Sequence, residues 1–149
     1  MIGMVLIAHA RIASEMLAAA EHVLGKQSLI MPLNVEDSDR ADQLHDELLQ
    51  MIRQIDTGDG VLILADMFGG TPCNVALSVV SLGCVEVVSG FNLPSLIKAL
   101  SLRQKPGTLN QLAREVASSG QQYICLASDY MLKHEAGGCS PAEGLHHHA

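Results

Sequence analysis

Two residues that could take part in chemistry follow two apolar runs of the sequence. His9 comes directly after the run 2–8, and Asp66 comes directly after the run 61–65. Such runs are typical of buried strands in a parallel sheet, and open α/β folds bind ligands beyond the carboxyl ends of such strands. If the two strands are neighbours, the Asp66 carboxylate can accept a hydrogen bond from one nitrogen of the His9 ring. The other ring nitrogen is then left as a nucleophile.

A glycine-rich segment follows Asp66 and could hold an anion. Gly69 and Gly70 allow the backbone to approach a ligand closely, and Thr71 and Pro72 predict the start of a helix, with Thr71 as its N-cap. The first N–H groups of a helix favour phosphate, and the Thr71 hydroxyl could add a hydrogen bond. An ordinary Gly-Gly turn with a threonine cap has the same sequence, so the anion role depends on His9 and Asp66 lying nearby.

Other kinds of site are poorly supported by the sequence. It has neither a Walker P-loop nor a G-x-G-x-x-G pattern, and its four cysteines form no C-x-x-C pair. The formal net charge of −7 and the absence of a basic stripe argue against nucleic-acid binding. No metal and no cofactor are therefore expected. A nucleophilic histidine, an orienting carboxylate and an anion cradle suit a phosphohistidine formed by in-line phosphoryl transfer.

The order of apolar runs and helical patterns predicts an α/β fold with an open, mainly parallel sheet and helices on both faces. The predicted strands are 2–8, 28–33, 61–65, 85–89 and a short last strand, 123–127; the predicted helices are about 12–24, 41–55, 72–82, 93–102 and 109–119. We predict one domain, residues 1–132, and a disordered tail, residues 133–149, with the run His146-His147-His148. Without a signal peptide or a membrane-length apolar run, a cytoplasmic protein is expected.

Three segments of the sequence resemble the IIA component of the mannose-family bacterial phosphotransferase system. They are residues 7–9 with the helix that follows, residues 66–74, and residues 90–94. The resemblance implies that residues 1–132 form a phosphoryl-carrier domain. In that family the phosphorylated histidine corresponds to His9, its partner aspartate to Asp66, and the hydroxyl residue near the phosphate to Thr71.

The same resemblance implies a strand order of 2-1-3-4 and a homodimer in which the last strand, 123–127, is exchanged between subunits. It also implies HPr as the phosphoryl donor and a separate IIB protein as the acceptor, for sugar uptake through a membrane permease. Two positions bear on the match. Ala10 stands where the family commonly has glycine after the active histidine, and Cys73 lies beside the glycine-rich segment.

Three alternative functions remain open at this stage. The first is a regulatory module whose binding to a target changes when His9 is phosphorylated, as in a phosphotransferase chain without a sugar permease. The second is the phosphoryl-donor subunit of dihydroxyacetone kinase, whose corresponding loop usually lacks the Gly-Gly-Thr-Pro pattern. The third is a hydrolase that uses His9 and Asp66 as acid and base, which would need further polar groups in a substrate pocket.

Overall fold

A computed structural model describes residues 1–134 of the chain. Within these residues lie four strands and six helices: β1 Gly3–His9, α1 Ile12–Leu24, β2 Ile30–Val35, α2 Ala41–Ile55, β3 Val61–Ala65, α3 Thr71–Leu77, β4 Val85–Ser89, α4 Leu93–Leu102, α5 Leu109–Gln122 and α6 Ala127–His134. The predicted tail falls mostly outside the described residues, and Lys133 and His134 close α6.

The four strands form one parallel sheet in the order β2-β1-β3-β4. The predicted α/β fold and the 2-1-3-4 order are confirmed. β1 and β3 lie in the middle of the sheet, and Met4 to Ala8 and Val61 to Ala65 are fully buried, which explains their continuous apolar sequence. The strand order reverses between these two strands, so the loops that follow them open at the switch point of the sheet.

Helices cover both faces of the sheet, as the sequence predicts. One face of β1 and β3 packs against α1, α4 and α5, through side chains such as Met4, Leu64 and Leu96. The other face packs against α2 and α3, through side chains such as Ile7 and Leu48. Successive side chains of β1 and β3 point to opposite faces and pack into both cores, and this packing holds the two strands rigidly. The residues that follow β1 and β3 are therefore attached to rigid strands.

No helix among the described residues is long and apolar enough to cross a bilayer.

Several elements differ in extent from the prediction: β1 ends one residue later, at His9, β2 two residues later, at Val35, and α5 three residues later, at Gln122. β2 begins at Ile30 rather than at residue 28, because Leu29 has a φ of +54°, outside the range of a strand. The helix predicted over 72–82 ends at Leu77 and is followed by a short 3-10 turn, Val80–Leu82. Ser78 accounts for the break: its N–H is shared between two carbonyls, and its hydroxyl donates to Val75 O, in competition with the regular helix.

The predicted strand over 123–127 is absent from the single chain. Tyr123 follows the end of α5, residues 124–126 have no regular structure, and Ala127 begins α6. The N–H groups of Asp129 and Tyr130 both donate to Leu126 O and begin the helix that follows this segment. A strand needs a backbone partner, and the prediction assigned that partner to a second subunit. Exchange of this segment in a dimer therefore stays a prediction.

Arg103 is a buried cation that ties the amino-terminal edge of the sheet to α4. It is 2% exposed, and its guanidinium donates to the carbonyl oxygens of Ile2, Ser28 and Leu29. No described carboxylate pairs with it, its Nε has no hydrogen-bond partner among the described residues, and burial lowers the pKa of the guanidinium. One side chain thus donates to three backbone carbonyls, of which Leu29 O also accepts the Met4 N–H.

We expect Arg103→Ala to lower the free energy of unfolding by about 3 kcal/mol, because each of these carbonyls loses a hydrogen bond and a cavity opens in place of the buried side chain. Urea denaturation followed by circular dichroism measures the change. Arg114→Ala is the control, because Arg114 is exposed on α5 and its loss should cost no more than about 0.5 kcal/mol. Equal urea midpoints for the two variants would contradict the structural role of Arg103.

Candidate functional site

His9 and Asp66 meet at the carboxyl edge of the sheet. His9 is the last residue of β1, Asp66 follows the last residue of β3, and these strands are hydrogen-bonded neighbours. Asp66 Oδ2 lies 2.7 Å from His9 Nδ1 and 2.9 Å from the His9 backbone nitrogen. The sequence prediction that the two side chains would meet is thus confirmed, and one carboxylate oxygen holds both the ring and the backbone of His9.

The Asp66 carboxylate determines which nitrogen of His9 is available. Its other oxygen, Oδ1, accepts the N–H of Met67 at 3.0 Å, so the carboxylate is fixed at both ends. An ionised carboxylate can only accept hydrogen bonds. In this pair, therefore, Nδ1 carries a hydrogen and the N–H group donates a hydrogen bond to Oδ2. Nε2 then keeps its lone pair. The His9 side chain is 43% exposed, whereas the Asp66 side chain is 13% exposed. The imidazole ring is thus accessible, and the carboxylate that orients it is largely buried.

Gly70 lies directly against the His9 ring. A β-carbon placed on Gly70 would lie 2.8 Å from His9 Cε1 and 3.1 Å from Nε2, closer than side chains normally approach. A glycine is therefore required here by space, and it brings the backbone of the loop next to the nucleophilic nitrogen. The neighbouring Gly69 is required by conformation instead, since its φ is +95° and a β-carbon there would meet nothing.

Thr71 is the first residue of α3, and Gly70 is the N-cap. The prediction of Thr71 as N-cap is therefore wrong by one residue, because Gly70 has the extended conformation of a cap and its carbonyl accepts the N–H of Asn74. Pro72 takes the second helical position instead of the first. The exposed Thr71 hydroxyl has no hydrogen-bond partner among the described residues, which leaves it available to a ligand of the loop.

Ala10 occupies a strained turn between β1 and α1. Its φ of +52° is left-handed, which costs a residue with a β-carbon about 1–2 kcal/mol. The Ala10 N–H donates to Val35 O at 2.9 Å, which holds the turn against the end of β2. Ala10 stands where the family that the sequence resembles commonly has glycine. Ala10 is exposed, and with alanine at this position His9 Nδ1 still contacts Asp66 Oδ2.

The third segment of the resemblance supports the site from outside it. The N–H groups of Gly90 and Phe91 donate to Ala65 O, the carbonyl that precedes Asp66. Asn92 forms a capping box with Ser95 at the start of α4 and donates to Gly120 O. This segment therefore fixes the end of β3 and does not itself reach the His9 ring through any described hydrogen bond.

Sequence reasoning missed the contribution of β2 to the site. Val35 pairs with His9 in the sheet, and Asn34 forms two hydrogen bonds with Ser14 in the first turn of α1. The predicted strand ended at residue 33, and Asn34, the polar residue directly after it, belongs to β2 in the structure. A half-buried amide normally has a hydrogen-bond partner, and here the partner is the helix that follows His9.

No group of three or more metal-ligating side chains occurs among the described residues. Cys73 is 1% exposed and packs in the core formed with α2, which fits a small apolar role. The site therefore presents an imidazole nucleophile, a carboxylate that orients it, and a glycine-rich loop.

Comparison with known proteins agrees with this geometry. A family profile described as "PTS system fructose IIA component" matches residues 3–117, which include His9, Asp66 and the glycine-rich loop. The chain belongs to this family of phosphotransferase-system IIA components. Membership supports a phosphoryl-carrier role in a sugar phosphotransferase system, and IIA components as a class are phosphotransferases.

Individual IIA relatives cover most of this chain. It is 30% identical over 124 residues to the mannose-specific EIIAB component of Escherichia coli. These residues make up 83% of this chain and 38% of that protein. The chain thus spans well under half the length of that relative. It is 25% identical to the fructose-specific EIIA component of Bacillus subtilis, over 89% of this chain and 91% of the relative.

Solved structures of IIA components share the fold. An EIIA component from Streptococcus agalactiae superposes with a TM-score of 0.79 and 25% identity, over 87% of this chain and 99% of that one. A mannose/sorbose-specific IIA subunit from Enterococcus faecalis superposes with a TM-score of 0.76 and 27% identity, over 84% of this chain and 93% of that one. The parallel sheet and its order are therefore those of IIA components.

Proposed function

We propose that this protein accepts a phosphoryl group from phospho-HPr on His9 Nε2 and passes it to a IIB protein during sugar uptake. The observation that carries the proposal is the 2.7 Å contact between His9 Nδ1 and Asp66 Oδ2. It orients an accessible imidazole and leaves Nε2 as the nucleophile. Membership in the IIA family supplies the class of reaction, and the residues at the sheet edge supply its chemistry.

In the proposed transfer, the Nε2 lone pair attacks phosphorus in line with the bond to the donor atom of phospho-HPr. The new P–N bond forms as the bond between phosphorus and the donor breaks, and its electron pair returns to the donor atom. The His9 ring gains positive charge as it attacks. Asp66 stabilises this charge through the Nδ1–H hydrogen bond. Transfer onward to IIB is the reverse step with a different partner atom.

The glycine-rich loop is proposed to hold the phosphoryl oxygens during transfer. Gly70 faces the His9 ring closely enough that a β-carbon would lie 2.8 Å from Cε1, and Thr71 follows with an available hydroxyl group. Gly69 provides the positive φ, +95°, with which the chain reaches Gly70. N–H and O–H donors placed in advance around a transferring phosphoryl group stabilise its charge without reorganising.

We also propose that the working form is a homodimer in the cytoplasm. Near the end of the described chain several large apolar side chains are exposed, at 66% for Tyr123, 76% for Ile124 and 66% for Leu126. This segment is the one expected to be exchanged as a strand. Apolar side chains exposed together mark a surface that a second subunit could cover.

The experiment that tests the proposed function is labelling from phosphoenolpyruvate in the presence of Enzyme I and HPr, followed by intact mass. A single acid-labile phosphoryl group on the wild-type protein, which disappears when a IIB protein is added, is the expected result. Absence of label with HPr from the same organism, while HPr itself becomes phosphorylated, would overturn the carrier role.

We expect Asp66→Asn to slow phosphoryl transfer by about 100-fold, because the amide cannot stabilise a positive ring and its N–H₂ group favours the wrong tautomer of His9. Quenched-flow measurement of the labelling reaction gives the rate of phosphoryl transfer. Asp59→Asn is the control, since Asp59 is exposed and bonded to the amino terminus at the opposite edge of the sheet. Equal rates for the wild type and Asp66→Asn would remove Asp66 from the mechanism.

A further inference from the structure

We infer that Asn34 is a positioning residue for His9, acting through the first turn of α1. The inference rests on the proposed phosphoryl transfer at His9 and adds a residue that lies outside the three segments of the resemblance. Asn34 lies on β2 and touches neither the His9 ring nor Asp66 through any described hydrogen bond. Its side chain instead bonds to Ser14, five residues after His9.

The contact between Asn34 and Ser14 replaces the usual cap of the helix. Asn34 Oδ1 accepts the Ser14 N–H at 3.2 Å, and Asn34 Nδ2 donates to Ser14 Oγ at 2.7 Å. Arg11, at the N-cap position of α1, forms no capping hydrogen bond with its side chain. A donor of the first turn that the N-cap residue normally satisfies is therefore satisfied from a strand twenty residues later in the chain.

The end of β2 holds the strained turn on both sides. Val35 O accepts the N–H of Ala10, and the side chain of the preceding residue, Asn34, holds the start of α1. The strained φ of Ala10, +52°, thus lies between the hydrogen bond of its own N–H to Val35 and the hydrogen bonds of Ser14 to Asn34. A strained residue keeps its conformation only where its surroundings determine it. Loss of one anchor would let the turn relax toward a negative φ.

Relaxation of this turn would displace the acceptor. His9 directly precedes Ala10, its ring lies 2.7 Å from Asp66 Oδ2, and it fits against Gly70 with no room for a β-carbon. Within such limits a small movement of the His9 backbone changes the direction of Nε2. Asn34 is half-buried and its side chain is bonded to Ser14, so its loss should affect the transfer step more than the docking of a partner.

The test compares Asn34→Leu, Asn34→Asp and Asn110→Leu with the wild type, using phospho-HPr at varied concentration. We expect Asn34→Leu to lower kcat about tenfold with KM within about twofold, because the Leu side chain cannot hold Ser14. Asn34→Asp should recover most of the rate, since its carboxylate can accept both the Ser14 N–H and the Ser14 O–H. Asn110 also bridges a helix and a strand, α5 and β4, away from His9, and is the matched control.

Two further measurements keep the inference testable. The His9 Nδ1 proton, observed by NMR in the unphosphorylated protein, should shift or broaden in Asn34→Leu and stay unchanged in Asn110→Leu. If Asn34→Leu fails to fold, Ser14→Ala removes the acceptor of Asn34 Nδ2 in a helix-favouring way and should lower kcat about threefold.

A lower melting temperature with an unchanged His9 proton and unchanged kcat would overturn the inference and leave Asn34 a purely structural residue. Failure of the wild type to accept a phosphoryl group would instead overturn the proposed function. In that case the NMR signal of His9 still decides whether Asn34 positions the ring, so the two failures are distinguishable.

Discussion

Replacement of His9 by alanine is expected to abolish phosphoryl uptake from phospho-HPr, with a rate at least about 1,000-fold below that of the wild type. Nε2 of His9 is the atom proposed to form the P–N bond, and alanine offers no lone pair in its place. The fold should persist, because the His9 side chain is 43% exposed and β1 is held by its apolar residues. Intact mass after incubation with phosphoenolpyruvate, Enzyme I and HPr measures the uptake.

His22→Ala provides the control for this experiment. His22 is exposed in the last turn of α1, away from the sheet edge, and its replacement should leave labelling unchanged. Circular dichroism of both variants establishes that they are folded. Labelling of His9→Ala to the wild-type level would place the acceptor elsewhere and refute the assignment of His9.

Gly70→Ala is expected to slow transfer by about 100-fold although the His9 residue itself is unchanged. The added β-carbon would lie 2.8 Å from His9 Cε1 and 3.1 Å from Nε2, so the ring or the loop must move. Either movement takes Nε2 out of line with phosphorus, and misplacement of reacting atoms by about 1 Å costs rates of this order. The single-turnover rate with phospho-HPr measures the effect.

Gly69→Ala separates the steric effect from a general loss of stability. At Gly69 a β-carbon meets nothing within 4 Å, and the cost there comes from the φ of +95°. We expect Gly69→Ala to lower the free energy of unfolding by about 1–2 kcal/mol and to slow transfer less than Gly70→Ala does. If both variants slow transfer equally, flexibility of the loop matters and contact with the ring does not.

Much of the frame that holds this site could be predicted from the sequence. The runs 2–8 and 61–65 are apolar without alternation because both faces of β1 and β3 are covered, and this indicated a parallel sheet with ligands beyond its carboxyl edge. Since strand ends in such a sheet converge, the residues after the runs, His9 and Asp66, could be expected to meet. The strand order itself came from the resemblance and not from the pattern of residues.

The remaining features depend on contacts that local sequence does not encode. The bonds from Asn34 to Ser14 and from Arg103 to Ser28 join residues far apart in the chain, so no spacing rule predicts them. The segment 123–127 failed for a different reason. Its apolar, β-branched and aromatic residues favour a strand, but a strand forms only where another backbone is available, and in the single chain helix hydrogen bonds form instead.

The exposure of His9 also determines how long its cargo can be kept. No lid covers the ring within the described structure, and 43% of the side chain faces solvent. A phosphoryl group on Nε2 would therefore be open to attack by water as well as by a partner protein. Such a carrier suits rapid relay and not storage: its charged form should persist only while partners turn over faster than hydrolysis, so the fraction phosphorylated would report the current flow of phosphoryl groups through the chain.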